Sequence, residues 1–133
     1  MTENLDQTVM VVDDTPENLR LLAGALSRRG YNVRAFPSGE MAVSAARREP
    51  PDLVLLDINM PGKNGYEVCD DFKSDDLLKD IPILFISAAQ DTEAKLKAFE
   101  HGGLDYVTKP FRLEEVFARV RTHLELTRLR EVL

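Results

Sequence analysis

Short apolar runs and helix-period stripes take turns along the chain. Residues 9–12 read VMVV, a β-branched run that suits a strand, and it stops at Asp13 and Asp14. Thr15 and Pro16 then mark a helix start, with Thr15 at the cap and Pro16 in the first turn. Leu19, Leu22, Ala23 and Leu26 lie at i, i+3, i+4 and i+7, the stripe of one buried helix face, and Gly30 suits the stop. Tyr31, Val33 and Ala35 alternate as a second strand, Ser38 caps a helix running to about Arg48, and Pro50-Pro51 closes it. Residues 53–56 (LVLL) are apolar at every position, as expected of a strand covered on both faces, and end at Asp57. The Gly, Pro and Asn content of residues 59–65 predicts a loop, after which Val68, Cys69 and Phe72 give a helix its inner face. Pro82 opens a fourth strand, ILFI, ending at Ser87; the helix after it is expected to pack through Leu96 and Phe99 until Gly102-Gly103 breaks it. Residues 106–108 form a fifth strand, Lys109-Pro110 a turn, and Val116, Phe117, Val120 and Leu124 recur at helical spacing from Arg112 onward.

Strict alternation of strand and helix predicts an α/β fold with a parallel sheet and right-handed crossovers, and 133 residues are too few for an eight-stranded barrel. The expectation is a three-layer (βα)5 open parallel sheet. Ligands of such sheets bind beyond the carboxyl ends of the strands. Asp13 and Asp14 follow the first strand, Asp57 the third, Ser87 the fourth and Lys109 the fifth, so these five residues converge on one edge.

Composition narrows the field. A chain of this length fits one domain: a flexible stretch at residues 1–7, a globular unit over residues 8–124 and a helical extension over residues 125–133. No apolar run approaches the roughly 20 residues needed to span a bilayer, and residues 1–7 lack the basic start of a signal peptide, so the expected location is the cytoplasm. One cysteine, Cys69, rules out an internal disulfide and reads as core packing. A net charge of -6 argues against direct nucleic-acid binding by this segment.

The convergent cluster has its own chemistry. Three carboxylates brought together repel one another unless a cation enters, and oxygen-only ligation favours a hard ion such as Mg2+, which combines carboxylates with waters and phosphate oxygens. The three aspartates carry three negative charges, Lys109 returns one, and a divalent cation brings the sum to zero. An aspartate there can attack phosphorus to give an aspartyl phosphate, and Asp57, central among the strands, is the expected nucleophile. Singly, each of these residues is more often structural; together, at the ends of four strands, they point to one site.

The pattern of Asp13-Asp14, Asp57 with Met60-Pro61 and Gly65, Ser87-Ala88, and Lys109-Pro110-Phe111 resembles the response-regulator receiver domain of two-component signalling, over about residues 8–124. The resemblance implies the flavodoxin-like strand order 2-1-3-4-5. It implies Asp57 as phosphoacceptor, Asp14 and Asp57 as direct Mg2+ ligands, Asp13 as a ligand through water and the Asn59 backbone carbonyl as the remaining protein ligand. It further implies Ser87 as switch hydroxyl, Tyr106 as switch aromatic, and Lys109 as the phosphate-pairing lysine, with a cis Lys109–Pro110 bond. The partner would be a histidine kinase or phosphotransfer protein, and catalysis would extend only to the domain's own phosphotransfer and dephosphorylation. Phosphorylation would alter the surface of the fourth helix, fifth strand and fifth helix, a candidate homodimer face. Gly102-Gly103 departs from the family's commoner Gly-Ala, a change expected to touch only loop stiffness. Small Ala89, two residues past Ser87, implies easy water access and moderate self-dephosphorylation.

The remaining features read more plainly. His101 and His123 are expected on solvent-facing helix positions without metal partners, and Arg112, Arg119, Arg121, Arg128 and Arg130 are matched by neighbouring glutamates as a solvated face. Leu126, Leu129 and Leu133 continue the last stripe, as either a linker to an output or kinase domain or a dimer seam. Two rival functions remain: a haloacid-dehalogenase-type phosphohydrolase, which needs Asp-x-Asp where this chain has adjacent aspartates, and a flavin-binding module, whose phosphate the acids would repel.

Overall fold

The computed structural model describes residues 7–88 and 92–132. The elements are β1 (Thr8–Val12), α1 (Pro16–Arg28), β2 (Asn32–Phe36), α2 (Gly39–Arg48), β3 (Leu53–Asp57), α3 (Gly65–Lys73), β4 (Ile83–Ser87), α4 (Thr92–Glu100), β5 (Asp105–Thr108) and α5 (Leu113–Val132). All strand pairings among the described residues are parallel, in the order β2-β1-β3-β4-β5. The expected three-layer sheet and strand order are thus present.

Successive strand residues point to opposite faces, and the core divides along that line. Met10, Val12, Val54, Leu56 and Phe85 meet Ala42, Val68, Phe72 and Ala98 from α2, α3 and α4. Val9, Val11, Leu53, Leu55 and Ile86 meet Leu22, Leu26, Val116, Val120 and Leu124 from α1 and α5. Each large side chain so buried contributes about 1.5–3 kcal/mol, and the central strands carry most of them.

Local sequence sets the helix starts. Ser38 Oγ accepts from the Met41 amide at 3.3 Å, and Asn64 and Glu67 bond each other's amides at 3.0 and 2.8 Å, a reciprocal capping box. Thr15 occupies the cap position of α1 without a side-chain cap bond; its amide instead donates to Asp13 Oδ1 at 2.9 Å.

Three expectations need correction. Ala35 is exposed and Val33 only half-buried, because β2 is an edge strand with β1 as its sole neighbour among the described residues. Leu96 and Phe99 do not pack α4 inward: they are 56% and 47% exposed, and Ala98 is the buried contact. The small Ala98 lets α4 approach the sheet closely, which turns the bulky side chains outward. Gly103 is more than a matter of loop stiffness, since a Cβ there would stand 2.5 Å from Phe85 Cε2 and 3.1 Å from the Ala98 carbonyl oxygen. The chain can pass between α4 and the fully buried Phe85 ring only without a side chain.

α5 runs unbroken past Leu124, its last buried residue among the described ones, with Leu126 and Leu129 exposed. The expectations for residues 1–6 and Leu133 lie outside the described residues. Gly103→Ala should lower stability by roughly 1–3 kcal/mol through overpacking, read as a lower urea midpoint at unchanged m-value.

Candidate functional site

β1, β3, β4 and β5 deliver their polar ends to one edge of the sheet. The registers Val12↔Leu56, Asp57↔Ile86 and Ser87↔Thr108 bring the strand ends level, so the residues that follow meet. Carboxylate oxygens of Asp13, Asp14 and Asp57 lie within 4.8 Å of one another. Asp13 and Asp57 are buried, as is Ser87. Lys109 Nζ reaches both buried acids, at 3.4 Å from Asp13 Oδ2 and 3.5 Å from Asp57 Oδ1. All five residues expected at this edge are therefore brought to it.

The backbone around Asp57 is held from several sides. Ile58 donates to the Ile86 carbonyl at 3.3 Å, and the Gly65 amide closes the loop onto the Ile58 carbonyl at 2.8 Å. A Cβ on Gly65 would stand 2.6 Å from the Asp57 carbonyl oxygen and 2.7 Å from Ile58 Cα. Gly65 thereby lets α3 begin directly against the strand end that carries Asp57. Asp13 is fixed by the Thr15 amide on one oxygen and Lys109 on the other.

Electrostatics at Asp57 follow from this confinement. Burial, reinforced by the charge of Asp13, pushes its carboxyl up from 3.8 to about 6, against the pull of Lys109 and the Asn59 amide. Asn59 thus presents its N–H to Asp57, while its side-chain amide donates to Ser87 Oγ at 3.4 Å, a contact sequence spacing gave no sign of. The Lys109 amide donates to the Ser87 carbonyl at 2.8 Å, and the Lys109–Pro110 bond is cis, as the resemblance implied. Tyr106 is buried in the core cluster beside Phe85, with Lys95 Nζ 5.7 Å from its ring centre. Ala89 lies outside the described residues.

Both histidines correct the solvent-facing expectation. His101 Nδ1 meets Asp70 Oδ1 at 2.7 Å, and His123 Nε2 meets Asp105 Oδ2 at 3.0 Å. Arg119 likewise leaves the solvated face, donating from Nη1 to both Asp105 oxygens at 2.9 Å. Burial alone would raise the Asp105 carboxyl, but hydrogen bonds from His123, the Tyr106 amide and Arg119 outweigh it and hold it below its usual range. This network ties the start of β5 to α5, at the sheet edge away from the carboxylates. Cys69 is core packing, its buried thiol pushed up to about 11.

Residues 9–121 match the family described as the response regulator receiver domain. The chain belongs to that family. This receiver is 38% identical over 125 residues to the response regulator PleD of Caulobacter vibrioides, covering 94% of the chain and 27% of PleD. It is 37% identical over 132 residues to a probable cyclic di-GMP phosphodiesterase of Vibrio cholerae, covering 98% of the chain and 30% of that protein. Among solved structures, a putative response regulator from Chloroflexus aurantiacus is 36% identical with a TM-score of 0.86, covering 90% of the receiver and 98% of that chain. The receiver spans 27% of the length of PleD and 30% of that of the Vibrio protein, and the activities in their names belong to those proteins.

Receiver domains are signalling switches of two-component systems and bind Mg2+ at an acidic pocket. The donor set fits that ion: three carboxylates, all hard oxygen donors, face one lysine, leaving a formal charge of -2. No described helix is long and apolar enough to cross a membrane.

The raised Asp57 pKa carries a sign. Above pH 3.8 an unfolded chain releases this proton while the folded one keeps it to about 6, so without metal each step up in pH across that window favours unfolding. Wild type should lose about 2–3 kcal/mol relative to Asp57→Asn between pH 4 and 6.5, measured by urea unfolding in chelator. Parallel pH profiles for the two proteins would contradict the assignment.

Proposed function

We propose that this receiver accepts a phosphoryl group on Asp57 from the phosphohistidine of a histidine kinase or phosphotransfer protein in the cytoplasm. The carrying observation is a buried carboxylate at the end of β3 that stands 3.5 Å from Lys109 Nζ and shares its edge with Asp13 and Asp14. An Asp57 oxygen attacks phosphorus: the P–O bond forms as the P–N bond breaks, and its electron pair returns to the imidazole. Lys109, already poised between Asp13 and Asp57, follows the negative charge onto the transferred oxygens. Asp13, Asp14, Asp57 and the Asn59 backbone carbonyl would hold Mg2+, whose charge would offset the carboxylate repulsion and the charge of the transferring group. The domain's catalysis is confined to its own phosphotransfer and dephosphorylation.

The readout follows from charge. Phosphorylation adds roughly 1.5–2 negative charges and new acceptor oxygens beside Ser87 and Lys109. Ser87 exchanges its contact with the Asn59 amide for a phosphoryl oxygen, Tyr106 rotates into the space vacated, and the α4–β5–α5 surface changes its affinity for a partner or a second copy. Residues 8–124 act as the receiver unit. Residues 125–133 begin a helical connection to an output or kinase domain, a reading supported by the greater length of the relatives and the exposure of Leu126 and Leu129.

Intact-mass measurement after incubation with acetyl phosphate should find one Mg2+-dependent phosphoryl adduct on wild type and none on Asp57→Asn; an adduct that survives in the variant sinks the nucleophile. Tyr106→Ala should be phosphorylated to the wild-type extent yet lose most phosphorylation-dependent association. Full association of that variant, followed by sedimentation or partner capture, would remove Tyr106 from the switch.

A further inference from the structure

α1 starts at the carboxylate edge and ends at the opposite side of the sheet, just before β2. There, against the side of α5, a cleft of about 110 Å³ is lined by Arg29, Tyr31, Glu114, Phe117, Ala118 and Arg121. Tyr31 is the buried member of this lining. The Arg29 guanidinium lies over the Phe117 ring at 4.0 Å from its centre, which holds that cation at the rim. Arg121 is exposed one helical turn beyond Phe117, and it forms no salt bridge or hydrogen bond among the described residues. Burial pushes the Tyr31 phenol up while Arg121 and Arg29 pull it down, so both cations act on one phenol. The lining carries two arginines and one glutamate, a sum of +1, in a chain whose net charge is -6. Positive charge gathered in a concave site against the overall sign focuses anions.

We infer that the cleft between the end of α1 and the flank of α5 binds a phosphate dianion, free or as the end of a phosphomonoester, through Arg29, Arg121 and the Tyr31 hydroxyl. The planar guanidinium fork matches phosphate oxygens, and a phenol adds a third donor. A cleft of about 110 Å³ has room for one tetrahedral oxyanion. Glu114 opposes the anion, which fixes the direction of each charge substitution.

The test is titration of the full 15N-labelled chain in chelator with inorganic phosphate and separately with AMP, against sodium chloride of matched ionic strength. Without metal, the carboxylates at Asp57 repel phosphate, so the two sites are separated by where the shifts occur. Saturable shifts are expected at the Tyr31 and Ala118 amides. Arg121→Gln should weaken them roughly tenfold and Glu114→Gln should tighten them roughly threefold, both being exposed positions that leave the fold intact. AMP binding as well as or better than phosphate assigns a carried phosphomonoester, weaker AMP assigns the free anion, and both uphold the site. Shifts no larger than those in sodium chloride, undiminished binding by Arg121→Gln, or a Glu114→Gln variant that does not bind more tightly each overturn it.

Discussion

Like charge confined in little space is the condition around which this domain is built. Two carboxylates some 4–5 Å apart repel by a few kcal/mol at an effective protein dielectric, a sizeable fraction of the roughly 5–15 kcal/mol that keeps a domain folded. Asp13, Asp14 and Asp57 are held closer than 4.8 Å all the same. What holds them is the interior of the sheet: β1 and β3 are buried along nearly their whole lengths, and their register cannot slip without turning apolar faces to water. Lys109 offsets part of the repulsion, and burial together with the charge of Asp13 outweighs that offset at Asp57, whose affinity for a proton is raised.

The same strands connect that edge to the surface of α4, β5 and α5. Ser87 pairs with Thr108 in the ladder and its carbonyl receives the Lys109 amide, so the hydroxyl and the ammonium move as parts of one hydrogen-bonded corner. One strand position earlier but one, Phe85 pairs with Tyr106, and their rings share a core cluster. A side-chain hydroxyl, an ammonium and an aromatic ring therefore lie in sequence behind that edge.

Much of this was legible in the chain. Strand runs ending in a polar residue, 53–57 and 83–87 above all, gave both the sheet and the site, because a buried parallel strand must be apolar until it emerges. The motif glycine at position 65 acquires a physical reason only in three dimensions, as the point where α3 touches the Asp57 backbone. Side-chain pairings between distant residues stayed hidden: Asn59 with Ser87 are 28 apart, and His123 with Asp105 are 18 apart. The outward turn of Leu96 and Phe99 was hidden for another reason. Helical spacing names a face but cannot say that a close contact through Ala98 outranks two larger residues on it.

That arrangement makes α4 lightly welded. Ala98 is its one fully buried residue, Tyr66 Oη donates to the Ala94 carbonyl at 3.4 Å, and its two lysines, Lys95 and Lys97, rest over Tyr106 and Tyr66 at 5.7 and 4.7 Å from the ring centres. Contacts of this kind are worth about 0.5–1 kcal/mol each at exposed positions, against several kcal/mol to dislodge a buried strand. Among the described helices α4 thus buries the fewest residues, and its Lys95 lies over the ring of Tyr106, two positions before the end of β5. The helix beside the carboxylate edge is therefore the one whose seating rests least on buried apolar surface and most on cation–ring contacts.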